Sequence, residues 1–271
     1  MKTAHNNRQD IWGVTAMAAL LTLAGAARAD AGDTGDTGDA SALSVSIGLG
    51  VGYAPKFPGS DRSKGKVLPM LKLDYGRFFV GGEESGSPGF GVKLLDNPHW
   101  KAGIAYSFDF SKPRQESDDE RLSGLGDIAR TSHISAFGVY KRDWYALGTN
   151  VSTAGHGEGT RIEAFAKASY DPAPRLTLSA GPKLVWADQK YNQTFFGVDA
   201  GQASRSGLAE YHPKSGINSM GLEFGADYKL DKNWLLLSHL TLTRLQGDAA
   251  TSPITERKNQ QSINFMGLYH F

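Results

Sequence analysis

The chain contains no cysteine, so it can be neither a lipoprotein acylated through a terminal thiol nor a small secreted domain stapled by disulfides. Long apolar runs are equally scarce. Past the first 26 residues nothing approaches the roughly 18 to 20 consecutive apolar residues of a membrane-crossing helix. Charge of one sign is missing too. Taking away residues 1–29 removes Lys2, Arg8, Arg28 and Asp10 and leaves 26 basic and 27 acidic residues, so no global field would gather nucleic acid. The seven histidines show no paired ligand spacing, and no Gly-x-Ser-x-Gly elbow occurs. These gaps leave no expected cofactor, metal or catalytic residue.

What is present begins with an export signal. Lys2 and Arg8 form a basic start, Ile11 to Ala26 is an apolar run of 16 residues, and Ala27-Arg28-Ala29 offers small residues at the positions read by signal peptidase. Residues 1–29 are therefore expected to be a signal peptide cleaved before Asp30. Residues 30–42 follow as an acidic, small-residue stretch with Asp30, Asp33, Asp36 and Asp39 at every third position. Carboxylates are hard ligands suited to calcium, but Gly-Asp-Thr repeats without a scaffold read as a solvated linker.

From Leu43 onward the pattern has period two. Leu43, Val45, Ile47, Leu49, Val51 and Tyr53 alternate with Ser44, Ser46, Gly48, Gly50 and Gly52, which suits a strand with one face on lipid and the other on a narrow lumen. Similar runs give strands at 43–53, 66–75, 77–82, 88–96, 100–110, 131–141, 144–153, 159–171, 174–187, 217–230, 234–246 and 261–271. The expected fold is all-β, a transmembrane up-and-down antiparallel barrel over residues 43–271 with about twelve strands. Ten remains open, because glycines and Pro88 interrupt the third and fourth runs. A negative mean hydropathy of −0.36 agrees with a barrel that hides polar residues inside.

Short connections at Gly76, Asn97-Pro98-His99, Arg142-Asp143, Pro172-Ala173 and Asp231-Lys232-Asn233 alternate with long ones at 54–65, 111–130, 188–216 and 247–260. In outer-membrane barrels the tight turns are periplasmic and the long loops external. Tyr75, Trp100, Trp144 and Trp234 lie beside the tight turns, as an inner aromatic girdle would. The final strand puts Ile263, Phe265, Tyr269 and Phe271 on one face, which resembles the assembly signal read by the outer-membrane assembly machinery, with Phe265, Tyr269 and Phe271 carrying it. Lipid and lipopolysaccharide are the expected surroundings, and the Gram-negative outer membrane the expected location.

Parity places Lys72, Lys101, Arg161, Lys167, Lys183, Lys229 and Arg244 in the lumen with Asp74, Asp109, Glu163, Glu223 and Asp227. Such a set either makes a weakly anion-preferring pore or neutralises itself inside a narrow or plugged lumen, with 188–216 as the plug. Among hydrolytic constellations, His156 near Ser152 and Glu158 reads as a turn, because neighbours on one tight loop point apart. Asp118, Asp119, Glu120, Asp127, His133 and Asp188 form an acidic outer rim whose spacing activates no water. The chain is not expected to be an enzyme.

Several segments occur in a recognisable order: Gly50-Val51-Gly52-Tyr53-Ala54-Pro55-Lys56-Phe57-Pro58-Gly59-Ser60-Asp61, Leu122-Ser123-Gly124-Leu125-Gly126-Asp127-Ile128, Gly155-His156-Gly157, Tyr191 to Val198, and Asp248 to Ile254. From about Leu43 to Phe271 the chain resembles the OmpV/MipA family of outer-membrane proteins. The resemblance implies an outer-membrane barrel. It also implies a scaffold linking a murein lytic transglycosylase to a penicillin-binding synthase in cell-wall metabolism. A narrow diffusion channel and a surface adhesin or antigen are the alternatives.

Overall fold

The computed structural model describes residues 43–81, 89–155 and 158–271. Twelve strands are present among them: β1 (Ser44–Pro55), β2 (Ser63–Tyr75), β3 (Phe78–Gly81), β4 (Gly89–Asp96), β5 (Trp100–Phe108), β6 (Ser132–Lys141), β7 (Tyr145–Ala154), β8 (Gly159–Ala173), β9 (Leu176–Ala187), β10 (Gly216–Lys229), β11 (Trp234–Leu245) and β12 (Asn259–His270). Each pairs antiparallel with its sequence neighbours, and β1 pairs with β12, so the sheet is a closed up-and-down barrel. Closure removes the two free edges that an open sheet would present to lipid; on its β3 side β2 is paired at Leu73, Asp74 and Tyr75 among the described residues.

The register explains the alternation in the sequence. Gly48, Gly50 and Gly52 oppose Leu268, Met266 and Asn264 on the inner face, while Val51 opposes Phe265 and Ile47 opposes Tyr269 on the outer one. Trp100, Trp144 and Trp234 are exposed beside the tight turns. Their rings meet Tyr140, Tyr145 and Tyr269 at centroid distances of 4.9, 4.9 and 5.2 Å, an aromatic belt at one rim. The strand count is twelve and not ten because β3, although only four residues long, pairs on both sides.

Two expectations need correction. The turn expected at Pro172-Ala173 lies two residues later, at Pro174-Arg175, and β8 runs through Pro172 at a register irregularity between Tyr170 and Ala173. A proline can sit there because a bulge releases its position from the ladder. Arg244 is not in the lumen: it opposes Met220 and Asn259, on the face opposite to Thr243 and Leu245. Leucines occupy both parities of β11, so the apolar pattern did not reveal which face was inner.

The long connections are structured. The β9–β10 loop contains α1 (Gln189–Phe196) and α2 (Ala200–Ser206), and the β11–β12 loop contains α3 (Gly247–Thr251). The Asp188 carboxylate caps α1 by accepting from the Tyr191 N–H at 2.7 Å. Asp199 and Gln202 form a reciprocal capping box on α2, and Gly207 ends that helix with φ 73°, a left-handed position that favours glycine. Two single 3-10 turns, Glu116–Asp118 and Glu120–Leu122, shape the β5–β6 loop.

Candidate functional site: the lidded lumen

The β5–β6 and β11–β12 loops leave the barrel from opposite sides of the twelve-strand ring, a backbone span of roughly 25 Å. They nevertheless touch. Arg121 donates from Nε and Nη2 to the Pro253 carbonyl at 3.1 and 2.8 Å. Lys56 and Lys64, in the β1–β2 region, donate to the Asp118 carbonyl and carboxylate, both at 2.6 Å. Contacts between opposite walls can only run over the mouth, so these loops form a lid.

Two apolar clusters hold the lid together. Phe57, Leu122, Leu125, Val198 and Ile254 come from four loops; Ile128, Phe195, Phe196 and Ala249 pack with Leu245 at the top of β11. Arg114 is 2% exposed and donates from Nη1 to the Phe195 carbonyl at 3.1 Å. Burial draws its pKa down to about 10, with Asp127 opposing the fall. The Asp127 carboxyl itself lies below its ordinary range, chiefly through its hydrogen bond from Lys112 and also through the Glu116 N–H.

Below the lid, several inner-face charges are paired. Glu163 accepts from Arg161 and lies 2.8 Å from Lys183, which reaches Glu223 at 3.0 Å. Asp227 Oδ1 lies 3.4 Å from His239 Nε2 without a hydrogen bond between them. Lys93, whose role the strand pattern did not suggest, is buried 2.7 Å from Asp74. Strand alternation also turns Lys101, Lys167 and Lys229 inward. Lys93 and Glu163 are largely withdrawn from water, where a charge needs a partner, whereas Arg161 and Glu223 each keep 42% of their side-chain surface accessible. The lumen is not polar throughout: Phe79 and Phe137 meet edge to face at 5.8 Å and pack with Ala105, and Leu235, Leu237, Met266 and Leu268 face inward near the tight-turn end.

At the roof of the lumen, Asp109, His133 and Glu158 bring one ligand atom each within 4.8 Å of one another. His133 Nε2 lies 3.1 Å from Asp109 Oδ1. Thr131 donates its N–H to Asp109 Oδ2 at 3.1 Å, which fixes that carboxylate. Glu158 is only 6% exposed. Burial, then the nearby Asp109 charge, pushes its carboxyl up to about 6. All three line a cavity of about 200 Å³ with Asn150, Ser152, Arg161, Glu163 and Tyr191. Sequence spacing could not reveal this group, because its members come from the end of β5, the start of β6 and the β7–β8 loop. A second trio, Asp61, Asp119 and Glu256, lies in the lid. The segments 1–29 and 30–42, including Asp30, Asp33, Asp36 and Asp39, and also His156, lie outside the described residues.

A closed twelve-strand barrel with an apolar, aromatic-rimmed exterior and a charged, lidded interior defines an outer-membrane barrel protein. The chain belongs to the family described as MltA-interacting protein MipA, whose model matches residues 47–271. It is similar to the MltA-interacting proteins of Escherichia coli (strain K12) and Shigella flexneri, at 28% identity over 82 residues in each case. That match takes in 30% of this chain and 33% of each relative, so the chain spans about a third of the length of the curated relatives it matches. Among solved structures, an outer membrane channel from Pseudomonas putida F1 aligns with TM-score 0.44 and 11% identity, covering 88% of this chain and all of the other. The KdgM porin aligns with TM-score 0.43 and 10% identity, covering 83% and 99%.

Proposed function

We propose that this barrel is an outer-membrane anchor for cell-wall enzymes, docking a lytic transglycosylase and, through it, a penicillin-binding synthase on the periplasmic side. The family match over residues 47–271 carries the reading, since the relatives are named for interaction with MltA. The lid and paired lumen charges support a barrel whose work lies outside its bore and weigh against a diffusion channel. Tight turns offer little of the roughly 800 Å² per partner that a stable complex buries. Docking therefore falls to the acidic segment with Asp30, Asp33, Asp36 and Asp39, which would order against a basic surface with modest, salt-sensitive affinity.

The test is co-purification from envelopes after mild crosslinking at low salt, with and without residues 33–39. Retention of a lytic transglycosylase by the full protein, weakened by the deletion while the barrel stays folded, is the expected result. Failure of the full protein to retain any cell-wall enzyme overturns the reading and moves the channel and adhesin alternatives ahead.

A further inference from the structure

The geometry points to a divalent transition-metal site of the zinc class at the roof of the lumen, with Asp109, His133 and Glu158 as protein ligands. One imidazole nitrogen and two carboxylate oxygens lie within 4.8 Å of one another, a spread that small side-chain adjustments close to metal-bonding distance. The His133–Asp109 contact alone could be an ordinary hydrogen bond. Glu158 is the second, independent observation. It is 6% exposed, faces the same cavity, and receives no hydrogen bond on its carboxylate among the described residues.

Neighbouring cations are engaged elsewhere. Arg161 bonds Glu163, and Lys183 bridges Glu163 and Glu223. That leaves His133 as the one basic side chain of the trio facing two carboxylates, less compensation than a buried pair of charges requires, and a bound cation would supply the rest. The cavity of about 200 Å³ leaves room for the metal and its completing waters. Donor chemistry selects the class: a mixed nitrogen and oxygen set suits zinc, cobalt or nickel, whereas calcium and magnesium prefer all-oxygen shells. The lid trio differs here. It offers three carboxylates and no nitrogen ligand, and the exposed Arg62 and Arg121 lie 3.5 Å from Asp119 and 3.9 Å from Glu256.

The experiment uses untagged, folded protein in detergent, stripped with chelator and titrated with Co²⁺ as a spectroscopic probe, then with Zn²⁺ in competition. One Co²⁺ per chain, displaced by Zn²⁺ but not by Ca²⁺, is expected. His133→Ala and Glu158→Gln should each weaken binding about tenfold or more, and Asp61→Asn should leave it unchanged. Unboiled gel mobility checks that each variant is folded, and Glu158→Gln, being nearly isosteric, guards against loss of binding through misfolding. Absence of stoichiometric binding, or binding indifferent to both ligand substitutions in folded protein, overturns the site.

Discussion

Glu158 and Arg114 illustrate opposite outcomes of burying a charge. The folded Glu158 carboxyl titrates near 6 instead of 4.5, so folding favours its protonated form. That contribution is fully present below about pH 4.5 and is lost as pH rises through about 6. In chelator-treated protein, hydrogen exchange around residues 109–131 and 158–160 should therefore be slower at pH 4.5 than at pH 7 after correction for intrinsic rates. Glu158→Gln should flatten that difference. Arg114 keeps its charge and satisfies the Phe195 carbonyl. Arg114→Ala leaves that carbonyl and a cavity behind, a loss of about 2 kcal/mol or more. Limited proteolysis should then nick the lid, while heat-dependent gel mobility still reports an intact barrel.

At the level of elements, inward glycines let side chains of the next strand lie flat across the wall. A Cβ on Gly148 of β7 would overlap the Phe165 ring of β8, whose Cζ, Cε1 and Cε2 are the three nearest atoms. Gly148→Ala should cost about 1–3 kcal/mol in urea unfolding, and adding Phe165→Leu should recover part of it. The glycine alternation was legible in the sequence as a lumen-facing pattern, and the strands followed from it because period two leaves few other readings. The lid helices were not. Helix α1 has eight residues and α3 five, too short for a 3.6-residue period, although Asp188, Asp199 and Gln202 carried capping signals. Charges on regular strands could be assigned by parity, as with Lys183 and Glu223, whereas Arg244 sat in a leucine-rich run with no parity signal. The roof trio depended on three distant segments meeting, which no local pattern encodes.

For the whole molecule, the lid spans the mouth of the bore. Planar-bilayer recordings of the intact protein should show conductance far below that of an open porin. Replacing residues 112–128 with a short Gly-Ser linker should raise it, because that segment supplies Arg121, Leu122 and Leu125 to the cross-mouth contacts. Equal, large currents from both proteins would mean that solute bypasses the lid. The lid also has a temporal consequence. Its main cluster needs Phe57, just after the first strand, and Ile254, just before the last, so it cannot assemble until the ring has closed. Contacts between such distant parts of the chain form late, because the entropy of bringing them together must be met first. During refolding, protection of residues 112–128 should lag behind the strand signal, making the lid a clock for the completion of the barrel.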